Sequence, residues 1–365
     1  MKIQTTKEHL LKAVQVTERI VGKKESLPVL SCILFDAGSD LVVRATNLEA
    51  GIEAKVICDI QEKGLIAVPA TILSQTIRSI TNDSILLSTD EGNLVVQSKG
   101  TKTVIKAVPH DEFPQLSSGT KSKGMHVPRE ELLRSIESVI YAASPSMIRP
   151  ELGSVYITFK QGSIVCVATD SFRLAEKTVA APSIKESDGM LIPLKHAGEL
   201  SFVLERLKDA AVTLYTEDAQ LTVQGDDVKF VSRVVEGNFP DYKTIIPKTP
   251  TTEVTVLKND FGEMLRKARV FSGDDQQVGL HVYPKKKIFT AIAQSAAVGE
   301  MSDSLEAAIS GDDIDINFHI GYLSECLSSI PADSVTLSFS GVGRALVIRG
   351  VSDSSFMYLV MPLNR

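Results

Sequence analysis

The sequence predicts an α+β protein made of three tandem copies of one domain, each with two helices packed on β-sheets. An amphipathic helix is expected near the start of each third of the 365-residue chain, and each third supplies a second helix further on. The short apolar blocks Ser84–Leu87, Ala211–Leu214 and Ser334–Leu337 lie at equivalent places in the three thirds. Phe113-Pro114 likewise returns as Phe239-Pro240. A repeat of this length indicates tandem domains of one fold.

The six helices are predicted from apolar residues that recur every three or four positions. Leu10, Val14 and Ile20 share one face of the first helix, whereas Lys12 and Arg19 lie off that face. The other five segments show the same pattern, so each helix has one apolar face for a sheet and one polar face. The predicted ranges are Thr6–Val21, Ala70–Ile80, Pro128–Ala143, Leu194–Leu207, Lys258–Phe271 and Ile320–Ile330.

Short alternating or β-branched runs between the helices predict strands, and turn residues separate them. These runs are Asp40–Arg44, Ser84–Leu87, Asn93–Gln97, Val155–Phe159, Ser163–Ala168, Leu221–Gln224, Lys229–Val234, Ile288–Ile292, Ala345–Arg349 and Val351–Val360. Strands that pair around two helices give a two-layer domain. The expected domain boundaries are 1–121, 122–249 and 250–365, with linkers at Leu116–Lys123 and Pro247–Thr252.

Charge is distributed unevenly along the chain. The net charge of −6 argues against a simple nucleic-acid binder. Windows over the six predicted helices carry a surplus of five positive charges, which leaves −11 for the remainder. A cationic helical layer in an acidic body would hold DNA loosely on one surface and repel it elsewhere.

Composition and motif searches exclude several classes of protein. No apolar run is long enough for a transmembrane helix, and the N-terminus lacks a secretion signal. The four cysteines are widely spaced, as expected of reduced thiols in the cytoplasm. The chain has no P-loop, HExxH or GxSxG motif, and its six histidines are scattered. Acidic pairs such as Asp226-Asp227 fall in turn-like stretches. We therefore predict no catalytic residue, no metal and no cofactor.

Two segments predict a binding surface. Thr169–Ala175 follows the apolar strand Ser163–Ala168 and is expected to turn sharply, with Phe172 and Leu174 presented on either side of a cation. An equally good interpretation is an Asp-stabilised turn with an arginine salt bridge. The C-terminal Tyr358–Arg365 is unusually apolar for a chain end, so it either completes a sheet or lines a groove. Methionine and leucine beside proline suit the binding of a peptide.

These segments carry a resemblance to a known family. The motifs TDSFRLA at 169–175, EGNFPDYKTIIP at 236–247 and YLVMPLNR at 358–365 resemble those of the bacterial DNA polymerase III beta subunits, the DNA sliding clamps. Supporting motifs are LPVLSCILF at 27–35, TNLEAGI at 46–52 and DEFPQL at 111–116, and the resemblance covers the whole chain.

The resemblance implies a non-catalytic processivity factor, a head-to-tail homodimer that closes into a six-domain ring around double-stranded DNA without reading its sequence. It implies further partners that dock in an apolar peptide groove between domains 2 and 3: the replicative polymerase alpha subunit, the clamp loader, and repair and translesion polymerases. A cytoplasmic, nucleoid-associated location and no membrane partner follow from the same resemblance.

The resemblance also assigns residues to three surfaces. The peptide groove would consist of Leu152, Thr169, Ser171, Phe172, Arg173, Leu174, Pro240, Thr244, Ile245, Ala345, Leu359, Met361, Pro362 and Leu363. The DNA-facing residues would be Lys24, Arg78, Arg149 and Lys195, to which helix position adds Lys12 and Arg266. The dimer contact would involve Lys102, Val104, Lys106, Val270 and Phe271, with Glu300, Asp303 and Glu306 as acidic partners.

The sequence departs from the family pattern at three places, the first two of them in the groove segments. Ser171-Phe172 stands where family members often have Gly-His, and Asn364 intervenes before the terminal Arg365. Thr46-Asn47-Leu48-Glu49 replaces Thr-Asp-Leu-Glu.

Two other functions remain open from the residues alone. The first is an enzyme, for which the sequence offers no candidate catalytic residue. The second is an open binding scaffold, which would explain the repeats and the groove but not the cationic helices.

Overall fold

The computed structural model describes residues 1–22, 27–116, 123–217 and 219–363. These residues form two compact units. The first unit contains Met1–Glu130 and Gly198–Val234, and the second contains Glu131–Ala197 and Val235–Arg365.

All six predicted helices are present. They are α1 Lys7–Glu18, α2 Ala70–Ser79, α3 Arg129–Glu137, α4 Leu194–Arg206, α5 Lys258–Phe271 and α6 Ile320–Glu325. Helix α1 ends three residues before the predicted Val21, and α2 and α4 each end one residue early. Helices α3 and α6 are shorter still, because they give way to 3₁₀ turns at Ile140–Ala142 and Cys326–Ser329. The Ser138 hydroxyl donates to the Arg134 carbonyl oxygen at 2.7 Å and competes with the helical hydrogen bond there.

The strands account for most of the remaining chain. They are β1 Lys2–Thr6, β2 Cys32–Ala37, β3 Leu41–Thr46, β4 Ala50–Val56, β5 Cys58–Glu62, β6 Gly64–Pro69, β7 Ser84–Asp90, β8 Asn93–Ser98, β9 Thr101–Ile105, β10 Met125–Pro128, β11 Ser154–Lys160, β12 Ser163–Thr169, β13 Arg173–Ala180, β14 Ser187–Pro193, β15 Ala211–Glu217, β16 Gln220–Gln224, β17 Val228–Arg233, β18 Thr252–Leu257, β19 Gln277–Tyr283, β20 Ile288–Ser295, β21 Gly299–Leu305, β22 Ala308–Gly311, β23 Ile314–His319, β24 Ser334–Phe339, β25 Leu346–Gly350 and β26 Phe356–Val360. The predicted strand Val351–Val360 was too long, because Asp353 closes a turn on Gly350 and the strand begins only at Phe356.

The first unit contains a five-stranded sheet in the order β5-β1-β7-β8-β9 and an eight-stranded sheet in the order β10-β15-β16-β17-β4-β3-β2-β6. All of their strand pairs are antiparallel. Helix α1 packs on β3 and β4 and contacts α2. Its side chains Leu10 and Val14 are buried, as the sequence pattern predicts, and so is Ile20 in the turn that follows the helix.

The second unit contains a nine-stranded sheet in the order β14-β11-β12-β13-β26-β25-β24-β18-β22 and a four-stranded sheet in the order β21-β20-β19-β23. Helix α5 packs on β20 and β21, with Phe261, Met264 and Leu265 fully buried. Short helix α6 lies against α5 and continues the chain from β23.

The threefold repeat is confirmed by strand pairing. In each repeat a strand that leads into a helix pairs with one of the three recurring apolar blocks, and the matched pairs are Thr5 with Ile85, Val127 with Val212, and Val256 with Val335. The order β6-β2-β3-β4 recurs as β14-β11-β12-β13 and as β23-β19-β20-β21. The order β1-β7-β8-β9 recurs as β10-β15-β16-β17 and as β18-β24-β25-β26.

Neighbouring repeats share their large sheets. Strand β17 of the second repeat pairs with β4 of the first, and β26 of the third pairs with β13 of the second. Each large sheet therefore takes strands from two repeats. The division into domains 1–121, 122–249 and 250–365 stays a prediction.

Candidate functional site

The turn between β12 and β13 is held by its own side chains. Asp170 Oδ1 accepts hydrogen bonds from the backbone N–H groups of Phe172 and Arg173 at 2.9 and 3.0 Å. The Thr169 hydroxyl donates to the Arg173 carbonyl oxygen at 2.6 Å. Ser171 adopts a φ of 81°, a left-handed backbone conformation that residues other than glycine and asparagine rarely take. The predicted sharp, Asp-stabilised turn is present.

Arg173 is a structural arginine in this turn. Its side chain is 10% exposed, and Nε bonds to Asp170 Oδ2 at 2.9 Å. One terminal nitrogen pairs with the Glu325 carboxylate, and the other donates to the Tyr141 carbonyl oxygen at 2.6 Å. The guanidinium lies 4.4 Å from the centre of the Tyr322 ring. The turn therefore does not offer Arg173 to solvent as a cation between Phe172 and Leu174. Of the two sequence interpretations, the structure has the arginine salt bridge.

We expect Arg173→Ala to destabilise the second unit by about 3 kcal/mol, because truncation leaves buried Asp170 and the Tyr141 carbonyl without their partner. Urea unfolding of the variant should show this loss, and Arg173→Lys, which keeps one charged donor, should recover part of it. An Arg173→Ala midpoint equal to that of the wild type would show that the network does not stabilise the fold.

An apolar cluster lies beside this turn. It contains Leu174, Ala345 and Leu359 of the predicted groove, together with Val165, Val167, Tyr242, Val347 and Met357. Half-buried Tyr156, Phe239, Ile246 and Met361 pack against it. The Tyr156 and Phe239 rings are stacked with their centres 5.0 Å apart. Partly exposed apolar side chains around a buried floor are what a short apolar peptide binds.

Tyr242 closes one side of this cluster, and the sequence analysis did not single it out. Its hydroxyl donates to the Glu176 carboxylate. Burial and this anionic acceptor raise the pKa of the Tyr242 hydroxyl, so the group stays protonated and fixed. The family-like motif EGNFPDYKTIIP at 236–247, which includes the repeated Phe239-Pro240, was the sequence signal for this position.

The C-terminal tail both completes a sheet and extends beyond it. Tyr358, Leu359 and Val360 are buried in β26, which pairs with β13 and β25. Past the strand, the Met361 N–H donates to the Phe172 carbonyl oxygen at 2.7 Å, and the Leu363 N–H donates to the Asn317 carbonyl oxygen at 2.8 Å. The half-buried segment 361–363 is thus anchored at both ends, and its Met361 side chain packs against the cluster.

The other predicted groove residues differ widely in exposure. Phe172 and Ile245 are 61% and 55% exposed, and Thr244 is also exposed. Pro240 and Pro362 are half-buried. Leu152 and Thr169 are buried, so they would support the surface rather than form its outer rim. All fourteen predicted groove residues belong to the second unit.

The predicted DNA-facing cations are mostly paired with nearby carboxylates. Arg78 lies 3.3 Å from Glu18, Arg149 lies 3.0 Å from Glu151, and Arg266 lies 3.4 Å from Glu263. Each of these arginine side chains is more than half exposed, so the pairs are weak in water. Lys12 is half-buried on α1 and Lys195 is exposed on α4. Lys24 lies outside the described residues.

The predicted dimer residues lie at an end strand of one sheet and at the end of a helix. Lys102 and Val104 are on β9, the end strand of its sheet, and Val104 is 56% exposed. Lys106 is exposed just beyond β9. Val270, 63% exposed, and Phe271 end α5. The acidic residues Glu300 and Asp303 are on β21, another end strand, and Glu306 follows it.

No helix in the described parts of the chain is long and apolar enough to cross a membrane. No three histidine, cysteine or acidic side chains within those ranges come together as metal ligands would.

Three family models match successive parts of the sequence. The N-terminal, central and C-terminal domains of the DNA polymerase III beta subunit match residues 1–117, 126–241 and 243–364, respectively. Together these matches cover nearly the whole chain.

Named relatives and solved structures agree with these models. The chain is 26% identical to the beta sliding clamp of Bacillus subtilis and 24% identical to that of Pseudomonas aeruginosa, with 100% of both chains covered in each case. Its fold matches the crystal structure of the DNA polymerase III beta subunit from Thermotoga maritima with a TM-score of 0.95 at 26% identity, covering 100% of this chain and 99% of that one. A Pseudomonas aeruginosa sliding clamp bound to griselimycin matches with a TM-score of 0.94 at 24% identity and full coverage of both chains.

Proposed function

This chain belongs to the DNA polymerase III beta subunit family, the bacterial sliding clamps, and on that premise we propose how its surfaces perform the work of a clamp. A clamp is a processivity factor for the replicative polymerase and not an enzyme. Two copies would join head to tail into a ring that encircles duplex DNA, with domains at 1–121, 122–249 and 250–365. We place the ring in the cytoplasm, at the nucleoid.

The pattern of end strands supports ring closure. Within one chain, β17 pairs with β4 and β26 pairs with β13. Strand β9 is the first-repeat equivalent of β17 and β26, and β21 is the third-repeat equivalent of β4 and β13. Both are end strands of their sheets in the described part of the chain. Pairing β9 of one copy with β21 of another would repeat the same junction and cover both of these edges.

The internal junctions also predict the register of this contact. Phe230 lies opposite Ile52, and at the equivalent position of the other junction Tyr358 lies opposite Ala175. The same register between copies would put Thr103 opposite Met301 and Val104 opposite Glu300. Exposed Val104 would then be covered in the dimer beside Glu300, on the sheet face away from α5. Because Lys267 of α5 pairs with Asp303, α5 covers the Met301 face of β21. Val270 and Phe271 would therefore meet the Thr103 side of β9. Lys102 and Lys106 would meet the acidic residues around β21.

DNA binding would rest on exposed cations of the helices and their connecting loops. Lys12, Lys24, Arg78, Arg149, Lys195 and Arg266 are the proposed contacts. Phosphate contacts carry no sequence information, so a ring held by them can slide. Because Glu18, Glu151 and Glu263 are already paired with Arg78, Arg149 and Arg266, a phosphate that binds one of these three arginines would have to displace a carboxylate. That competition keeps the hold on DNA weak.

We expect opposite effects from the two partners of one such pair. Arg149→Ala should weaken duplex binding and reduce the slope of log K against log salt by about 0.9, the value of one phosphate contact. Glu151→Gln should strengthen binding at low salt, since it frees the Arg149 guanidinium. Fluorescence anisotropy of a labelled duplex over a salt series measures both. Arg233→Ala, at an exposed arginine that ends β17, is the matched control. An unchanged slope for Arg149→Ala would remove that residue from the DNA surface.

The apolar surface of the second unit would be the docking site for partner proteins. Its half-buried tyrosine, phenylalanine and methionine side chains suit short apolar segments of the polymerase alpha subunit, the clamp loader, and repair and translesion polymerases. Phe172 would enlarge the apolar rim. A ring of two copies has two such sites, so partners can exchange while the DNA stays enclosed.

A further inference from the structure

The solvent face of the four-stranded sheet forms a polar surface next to the C-terminal tail. On β19, the side chains of Gln277 and His281 point to this face, whereas Val278, Leu280 and Val282 are buried on the other. Helix α5 packs on the neighbouring strands β20 and β21. Phe261 of α5 contacts buried Phe289 of β20, so the helix covers the apolar face of the sheet and leaves the polar face free for contact.

A half-open depression of about 440 Å³ lies in this face. Its floor is Gly279, which pairs with Asn317 on β23 and with Ile292 on β20. A Cβ atom at position 279 would lie 2.9 Å from His281 Nε2 and 3.0 Å from Asn317 Oδ1. Glycine at this position therefore keeps the floor of the depression open.

The groups around the depression favour a cation. Asp275 is exposed at the rim, and Gln277, Gln294 and Asn317 supply amide oxygens. Beside them, Asp315 accepts from the Tyr283 hydroxyl at 2.7 Å and lies 2.6 Å from His281 Nδ1. A lysine or arginine side chain in the depression could donate to the Asp275 carboxylate and to the amide oxygens together.

The depression is continuous with the apolar surface through Asn317. The Leu363 N–H donates to the Asn317 carbonyl oxygen at 2.8 Å, while the Asn317 side chain lines the depression. We propose that the depression is a polar extension of the peptide groove that receives a lysine or arginine flanking the apolar motif of a partner protein. This inference rests on the docking site proposed above, and it adds a charge preference to that site.

Peptide binding tests the extension separately from the groove itself. The core probe is a fluorescein-labelled pentapeptide with two leucines and one phenylalanine. Two longer probes add a Gly-Lys-Arg flank before or after it, and two matched probes add Gly-Glu-Glu. Anisotropy titrations against the full-length protein at moderate salt should show one Lys-Arg probe binding about tenfold tighter than the core, and no Glu-Glu probe gaining affinity.

Two variants test whether the depression causes this gain in peptide affinity. Gly279→Val fills the floor and Gln294→Lys adds a repelling charge at an exposed position. Either should abolish the tenfold gain and leave the affinity of the core peptide unchanged, whereas Gln161→Lys in a remote exposed turn should keep the gain. The extension is refuted if neither Lys-Arg probe gains affinity, or if the gain survives both variants. Failure of the core peptide to bind would instead refute the groove, and the extension with it.

Discussion

A chain shortened to end at Val360 should lose at least 100-fold in affinity for a short apolar partner peptide, while it remains folded. The truncation removes the Met361 side chain, which packs against the apolar cluster, and the backbone bonds from Met361 to Phe172 and from Leu363 to Asn317. Strand β26 keeps its pairing with β13 and β25, so the sheet stays intact. We expect a stability loss of at most about 4 kcal/mol, the scale of two hydrogen bonds and three half-buried side chains. Anisotropy of a labelled peptide and thermal unfolding measure the two quantities.

A double substitution distinguishes the contribution of the tail's side chains to peptide binding from that of its backbone. The full-length variant Met361→Ala/Leu363→Ala keeps both backbone anchors and should still lose most of the peptide affinity. Val351→Ala, in an exposed turn of the same unit, should behave as wild type. If the shortened chain bound the peptide as tightly as the intact one, the docking site would lie elsewhere.

Val104→Asp should convert the dimer into monomers at micromolar concentration. The register proposed for β9 and β21 places this residue opposite Glu300 of the other copy, so the substitution sets two carboxylates directly against each other. We expect the dimer Kd to rise at least 100-fold, which corresponds to about 2.7 kcal/mol. Because Val104 is 56% exposed in the single chain, the fold of the monomer should be unaffected. Sedimentation velocity measures the change.

Ile57→Asp provides the matched control for the dimer contact. Ile57 is 66% exposed in the same unit but lies outside the proposed contact, so its substitution should leave the dimer intact. A Val104→Asp protein that still sediments as a dimer would contradict the pairing of β9 with β21.

The local structure was largely predictable from the sequence. Helix α5 was predicted at its observed bounds, since Phe261, Met264, Leu265 and Ala268 recur on one face and all of them are buried. The turn at Asp170 was predictable as well, because an aspartate that bonds to the N–H groups two and three residues later is a local feature.

The candidate site was less predictable because its contacts are long-range. Arg173 pairs with Glu325, 152 residues away, and with the carbonyl of Tyr141, 32 residues away, and no sequence spacing reveals either contact. The stacking of Tyr156 on Phe239 was hidden in the same way. The pairing of β17 with β4 joins two repeats, and strand order across repeats leaves no periodic signal. The family resemblance predicted which residues line the groove. The structure identified Asp170, Glu325 and the Tyr141 carbonyl as the partners of Arg173.

Retention on DNA tests the central claim, that two copies enclose the duplex, most directly. Labelled protein is loaded on nicked circular plasmid by a matching clamp loader with ATP, half of the sample is linearised, and gel filtration in moderate salt follows the label. The ring predicts that label stays on circles and leaves linear DNA, and that Val104→Asp is retained on neither. Equal loss of the wild type from circular and linear DNA, with a loader proven on a known clamp, would contradict enclosure and favour an open binding scaffold.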